Sequence, residues 1–368
     1  MEPIKLLHVS DFHIDYPFEG LSEGARKLRR IDLFGAFEYV CALAVRQKVR
    51  ALLITGDLFH ANTVDRHSVS LVVSGLLKLL SRDIKVVILP GNHDEGVAES
   101  LRKCGGLLPN VYIFSGDTWQ EYSGVDGVSF YGHPFVRSKR NDRVLANLQV
   151  AGGAGYKVGI LHGSMSEVPI DGDYFPFSGD EISRSGLHYL ALGHFHNFRD
   201  CSGGNTTCFY PGSPERLTFN NTAERKAVIV TLKEGKASAE PAPIPARPYL
   251  TIDCDLSTQG LSGLYLMLNN HADQEACLRL NLTGMADEQN VVNLYEVKQH
   301  FANKFLHLEI NDETIVMPEV DPSDKTVKGI FLNKIKHKLQ NQALTPEEKK
   351  VVVEALIAGL TALEGGRL

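Results

Sequence analysis

No C-x-x-C pair occurs among the six cysteines, Cys41, Cys104, Cys201, Cys208, Cys254 and Cys277, and their wide spacing across 368 residues makes no disulfide framework. That argues against a structural zinc site and for a reducing compartment. Long apolar runs are missing too. The opening "MEPIKLLHVS" has too short an apolar stretch for a signal peptide, and nothing approaches the roughly 20 apolar residues that cross a bilayer. The expectation is a cytoplasmic protein with no membrane partner. There is no internal repeat or low-complexity tract, and tryptophan is reduced to Trp119, to which the sequence assigns no role. An excess of positive charge is also lacking: the net charge is -6, with 27 basic and 27 acidic residues in 1–250 against 11 and 17 in 251–368. Total charge therefore does not point to nucleic acid, although a local basic surface fits within a balanced N-terminal part.

What remains is ordinary globular composition, 43% hydrophobic and 22% charged with a mean hydropathy of -0.11, on a chain long enough for two or three domains. The first 200 residues alternate short apolar strands with helical stretches. Ile4 to Val9 leads into "SDFHID", Ala51 to Thr55 into "GDLFHAN", and Lys85 to Leu89 into "PGNHDEG". Between the first two, Leu28, Ile31, Phe34, Phe37, Cys41 and Ala44 recur at helical spacing; "RHSVSLVVSGLLKLLSRD" reads as a second helix. Further strands are expected at Tyr112–Phe114, Val128–Gly132, Val158–Leu161, His188–Leu192, Thr207–Tyr210 and Ala227–Leu232. So many short strands predict an α/β fold built as a two-sheet sandwich rather than one open parallel sheet. Cys201 and Cys208 are expected to flank a hairpin.

The stretch "AEPAPIPARP", residues 239–248, holds four prolines in ten positions, is extended, and marks the expected domain boundary. It divides a catalytic domain, 1–240, from a smaller α+β domain, 249–322, with one helix near Val291–Asn303. A helical tail, 323–368, follows. Its first helix carries Val327, Phe331, Ile335 and Leu339; its second opens with Thr345, Pro346 and Glu348 as a capping box and stops at Gly365-Gly366.

Taken singly, each polar cluster after a strand is weak evidence. Asp11 and His13 form a D-x-H that chance supplies often, "GNHD" suits a turn, and His162, His194 and His196 each read as loop residues. Together they change the weighing. Five blocks follow apolar strands, and each delivers Asp, Asn or His where α/β folds bind ligands, outside the carboxyl ends of the strands. Mixed carboxylate, amide and imidazole donors suit Mn, Fe or Zn better than the all-oxygen sites of Ca or Mg. Asp11, His13, Asp57, Asn92, His162, His194 and His196 make seven donors, enough for two ions if one carboxylate bridges.

The order D-x-H, G-D, G-N-H-D, H-G, G-H-x-H resembles the signature of the calcineurin-like metallophosphoesterases over about the first 215 residues. The resemblance implies that Asp11, His13, Asp57 and His196 hold one metal and that Asp57, Asn92, His162 and His194 hold the other. His93 is left beside the site, not as a ligand but to protonate the leaving oxygen or stabilise charge on the phosphorus, with Asp94 either as its orienter or as a turn former. Two cations roughly 3.5 to 4 Å apart clamp a phosphate oxygen and supply hydroxide at neutral pH for in-line attack. Manganese is the expected ion, with Fe, Zn or Mg as alternatives.

"GDLFHANTVDRHS" and "YPGSPERLTF" resemble the DNA-repair nuclease branch of that superfamily, the SbcD and YhaO type. "LRLNLTGMAD" is similar to that branch's capping domain, and "EALIAGLTALEG" to the helices that dock on an SMC-like coiled-coil ATPase of the SbcC type. The resemblance thus implies a DNA exonuclease, with single-strand endonuclease activity as a further expectation, and homodimerisation through helices of the catalytic domain. The alternatives are a phosphodiesterase for cyclic nucleotides or other small diesters, and a non-catalytic scaffold subunit. Among the other histidines, His8 reads as a core residue, His133 and His188 as structural, and His60 as either a substrate contact or a loop residue. The basic run Arg137–Arg143 reads as a solvated loop.

Overall fold

Residues 2–62, 64–103, 108–167, 174–221, 223–286, 292–316, 321–339 and 344–363 are described by a computed structural model of the chain. Cys104 and the Gly365-Gly366 helix stop lie outside them. The chain divides into two compact units: one runs to Leu250 and includes Glu275–Cys277, and the other comprises Thr251–Gln274 and the chain from Leu278 onward.

Unit 1 contains, in chain order, β1 (Ile4–Val9), α1 (Glu23–Arg46), β2 (Ala51–Thr55), α2 (Arg66–Leu80), β3 (Lys85–Leu89), α3 (Val97–Lys103), β4 (Val111–Ile113), β5 (Gln120–Val125), β6 (Val128–His133) and β7 (Tyr156–His162). It continues with α4 (Gly179–Arg184), β8 (Tyr189–Gly193), β9 (Arg199–Asp200), β10 (Thr207–Tyr210), β11 (Lys226–Lys233) and β12 (Lys236–Pro243). Two six-stranded sheets result, in the orders β12-β11-β1-β2-β3-β4 and β5-β6-β7-β8-β10-β9. The expected two-sheet α/β sandwich is the observed fold. Strands β1 to β4 are parallel, joined through helices, as are β6, β7 and β8.

Alternation along each strand sorts the core. Leu7 and Val9 of β1 pack with Phe37, Val40, Val72 and Leu76 in the helical layer, whereas Leu6 joins Leu53, Val87, Ile160 and Ala191 between the sheets. Buried on both faces, these strands read as continuous apolar runs. His8 takes an inner-face position: its ring nitrogens lie 2.8 Å from the Tyr189 hydroxyl and 2.9 Å from Thr55 Oγ1, and burial pushes its pKa down to about 3. It is a satisfied core histidine.

The helix α1 departs from its expected apolar stripe. Leu28 and Ile31 are 42% and 63% exposed, while Arg29 is fully buried. The Arg29 guanidinium bonds Asp32 (2.5 Å), Glu215 (3.1 Å) and the Arg216 carbonyl (2.6 Å) and lies against the Phe18 and Tyr249 rings. Paired in this way, an arginine takes the core-facing position, which apolar spacing alone cannot reveal.

The proline-rich stretch is partly sheet. β12 pairs antiparallel with β11 from Lys236 to Pro243 and forms the sheet's edge, the place where strands tolerate proline. Cys201 and Cys208 face each other across a tight hairpin, with the Cys201 N–H bonded to the Cys208 carbonyl.

In the second part of the chain, β13 (Tyr249–Asp255), α5 (Leu256–Asn270), β14 (Asp273–Thr283), β15 (Met285–Ala286), α6 (Leu294–Phe301), β16 (Phe305–Asp312) and β17 (Ile315–Val316) precede the helices α7 (Val327–Leu339) and α8 (Pro346–Leu363). A three-stranded sheet runs β13-β14-β16. The α+β character is as expected, but α5 is an additional helical element, kinked at Gly260 (φ 60°, ψ -179°) and masked in the sequence by Gly260 and Gly263, which are poor helix formers. Leu332, Ile335, Val352 and Leu356 of α7 and α8 share a core with Met285 and Ile315. Thr345 and Glu348 form the capping box.

Candidate metal centre

Each polar block sits just beyond a strand's carboxyl end. Asp11 and His13 follow β1, Asp57 and His60 follow β2, and Asn92, His93 and Asp94 follow β3; His162 ends β7, and His194 and His196 follow β8. The first three strands are neighbours in one sheet, and β7 and β8 in the other. Donors from both sheets meet at one edge of the sandwich.

The turns there are strained. Asp11, His13 and Asp57 have φ of 54°, 47° and 50°, and His194 has 101°. Positive φ costs a side-chain-bearing residue roughly 1–3 kcal/mol, least for Asp, Asn and His, and such strain collects at functional sites. Hydrogen bonds hold it in place: the N–H of Asp11 to the Gly56 carbonyl (3.1 Å), that of His13 to the Asp57 carbonyl (2.9 Å), and that of His194 to the Asp11 carboxylate (3.1 and 3.2 Å). At Gly193 a Cβ would fall on the Thr55 carbonyl oxygen, so the two sheets can approach at that point only through glycine.

Donor atoms converge in two overlapping groups, Asp11 with His13 and His196, and Asp11 with Asp57 and His162. Nε2 of His13 and of His196 face each other at 3.1 Å. Oδ2 of Asp57, a member of the second group, lies 3.6 Å from His13 Nε2 of the first and 3.4 Å from His162 Nε2. Asn92 Oδ1 is 2.9 Å from His162 Nε2. His162 commits Nδ1 to the Thr55 carbonyl at 3.0 Å, which leaves Nε2 as the nitrogen able to ligate. His194 Nε2 is buried without any hydrogen-bond partner among the described residues. An orphaned imidazole nitrogen beside clustered nitrogen and oxygen donors fits divalent cations of the Mn, Fe or Zn kind.

The electrostatics agree. Burial would raise the Asp57 carboxyl, but His162 and His13 outweigh it and hold the group far below the usual carboxylate range. His162, which burial would lower, is pushed up to about 9 by Asp57. His194 is pushed down to about 3 by burial and then by His162, and burial also lowers His13. Both stay neutral, the form an imidazole takes as a ligand, whereas His162 carries a proton beside Asp57 that a bound cation would displace.

His93 stands at the rim. Its N–H reaches Asp57 Oδ1 at 2.9 Å, and its Nδ1 lies 3.0 Å from the His60 carbonyl. That carbonyl, rather than Asp94, orients the ring. Asp94 instead accepts from the Gly91 N–H (2.8 Å) and the Phe59 N–H (3.2 Å), bracing the turn. Of the two readings the sequence allows for Asp94, orienter of His93 or turn former, these bonds match the second; burial, and then Asp57, raise its pKa to about 7.

His60 is the residue the sequence left undecided. Its Nδ1 lies 3.3 Å from His13 Nδ1, its ring stacks on His93 at 5.0 Å, and with His13 and His93 it forms a third group of converging donors. Its only signal in the sequence was a position three residues past Asp57. Arg137, from the basic run, donates to the Asn92 carbonyl at 3.2 Å.

Residues 4–198, just over half of the chain, match the calcineurin-like phosphoesterase family, and the chain belongs to that family. It is a metallophosphoesterase by descent, and that family uses divalent metals. Among its relatives, the uncharacterized metallophosphoesterase YhaO of Bacillus subtilis is 27% identical over 249 residues, 64% of this chain and 59% of that one. The DNA double-strand break repair protein Mre11 of Methanosarcina acetivorans is 24% identical over 330 residues, 82% of this chain and 49% of its own. Mre11 of Archaeoglobus fulgidus is 24% identical over 398 residues, 97% and 85%. The chain thus spans about half the length of the first Mre11 relative and three-fifths of YhaO. A dimetal phosphatase from Danio rerio matches 67% of this chain and 98% of its own at 11% identity, with a TM-score of 0.41. Among the described residues, no helix is long and apolar enough to cross a membrane.

Proposed function

We propose that this chain is a two-metal DNA phosphodiesterase of the SbcD type, an exonuclease with single-strand endonuclease activity that acts in DNA repair. The observation that carries the reading is the position of Asp57 Oδ2 between the His13 and His162 nitrogens, which suits a carboxylate shared by two ions. The similarity to proteins named for double-strand break repair, reaching 97% of this chain, supports DNA as substrate.

Asp11, His13, Asp57 and His196 would hold one ion and Asp57, Asn92, His162 and His194 the other, manganese being the proposed metal. Two divalent ions there supply charge neutralisation at phosphorus and a water of lowered pKa. The chain's own residues do the rest. His93, with Nδ1 held by the His60 carbonyl, presents Nε2 to the departing oxygen and gives it a proton. His60 backs His13 through the Nδ1 pair and fixes the ligand's tautomer. Asp94 keeps the Gly91–Asp94 turn in shape.

An SMC-like ATPase of the SbcC type is the proposed partner, docking on α7 and α8, where Val327, Ile330, Val351 and Ile357 stand exposed. Exposed Leu28 and Ile31 on α1 and Leu71 and Leu77 on α2 support a homodimer through catalytic-unit helices.

The test is digestion of linear DNA by the purified chain across Mn²⁺, Mg²⁺ and Zn²⁺. Release of nucleotides with Mn²⁺ is expected. Cleavage of small diesters alone would reassign the substrate, and no bindable metal would favour a scaffold.

A further inference from the structure

His196 is held differently from His13 and His162. The His162 and His13 side chains are 0% and 2% exposed and locked by packing, whereas that of His196 is 31% exposed. Its position therefore depends on the backbone that carries it, a short segment between His194, at φ 101°, and the edge strand β9.

Arg225 grips that segment. It lies just before β11, is 2% exposed, and spends all of its donors locally. Nη1 donates to the His196 carbonyl at 2.9 Å and the Ser213 carbonyl at 3.3 Å, and Nη2 to Asn197 Oδ1 at 3.1 Å. Nε and Nη2 donate to the Ala223 carbonyl at 2.9 and 2.6 Å. Every one of these acceptors is neutral. Glu215, whose charge Arg225 feels, is ion-paired with Arg29 at 3.1 Å. Burying a guanidinium without a carboxylate is expensive, so its retention needs a set of acceptors that only this arrangement supplies. The Ser213 N–H also donates to the His196 carbonyl, at 3.2 Å, and a Cβ on Gly212, at φ 78°, would press on that same carbonyl. Three features of one loop thus close on the backbone of a single ligand.

We infer that Arg225 is a positioning residue for the metal centre: its guanidinium fork fixes the His196–Asn197 backbone and so presets the imidazole of His196 for its cation before the ion arrives. Lysine cannot do this, because a single ammonium cannot span four acceptors arranged around a plane. The inference rests on the two-metal reading above.

The experiment is a Mn²⁺ titration of the metal-free full chain, following free Mn²⁺ by electron paramagnetic resonance, for wild type, Arg225→Lys, His196→Ala and the double variant. Wild type should bind two ions. Arg225→Lys should weaken one of them about tenfold or more, as loss of a ligand-orienting partner does, and leave the other unchanged. His196→Ala should weaken the same ion, and the double variant no further, because both changes remove one interaction. Asn197→Ala should produce a smaller loss at that ion. Unchanged affinities in Arg225→Lys, equal weakening of both ions, or additive losses in the double variant would overturn the inference and leave the two-metal reading intact. A wild type that binds fewer than two ions would sink the reading and the inference together. If Arg225→Lys does not fold, judged by its metal-free melting curve, the Asn197→Ala and His196→Ala cycle carries the same comparison.

Discussion

His93 and His8 show how one residue type takes opposite roles from its surroundings. His93 stands at the rim of the donor cluster with Nδ1 held by the His60 carbonyl, and the proposed mechanism gives it a proton to donate and no metal bond. His93→Ala should lower kcat about 10²- to 10⁴-fold with the metal content unchanged, checked by elemental analysis beside a DNA digestion rate. Loss of metal in that variant would move His93 into the ligand set. His8 is buried as the neutral form, with a pKa of about 3 against 6.5 for a free histidine. The unfolded chain therefore binds the proton first as pH falls. The contribution of His8 is complete above 6.5 and is lost toward pH 3, at about 1.4 kcal/mol per pH unit. In urea melts, the stability gap between wild type and His8→Gln should narrow by that slope between pH 6 and pH 4; a gap that does not change with pH contradicts the assignment.

At the scale of elements, the strands were easy to read and the helices less so. β1, β2, β3 and β10 fall where apolar runs place them, because a strand buried on both faces has nowhere to put a polar residue until it ends. Helical spacing found α1 and the inward Phe37, Cys41 and Ala44, but placed Leu28 and Ile31 inward in its first turns, where Arg29 takes the core-facing position instead. The glycines in α5 concealed a helix whose Leu256, Leu264 and Leu268 are buried. The close approach of Gly193 of β8 to Thr55 of β2 makes a sharp prediction. Gly193→Ala should cost at least about 2 kcal/mol in the metal-free protein, measured by denaturant unfolding, because the added carbon meets backbone that cannot yield. An alanine variant of wild-type stability would mean that the sheets can separate there.

For the whole molecule, metal binding and folding should be linked. Donors from two sheets converge at one edge, with the His194 nitrogen left unpartnered among the described residues, so an ion that binds only the folded chain raises its stability, by about 2.7 kcal/mol per site at a hundredfold excess over Kd. The melting temperature should rise with Mn²⁺ and fall on chelation, and the rise should shrink in His196→Ala. A melting temperature indifferent to both would contradict the metal centre. The seven donors were visible in the sequence because each follows an apolar run, and five such blocks in one order are far more specific than any one. Their meeting was not visible. Sequence determined which residues stand at strand ends, since apolar runs must stop where the core stops. Only the tertiary structure decided that β1 to β3 and β7 to β8 present those ends at one edge, that four of the candidate donors adopt positive φ, and that His60 and Arg225 stand behind them. Those facts depend on pairing between segments up to some two hundred residues apart, and local pattern carries no record of it.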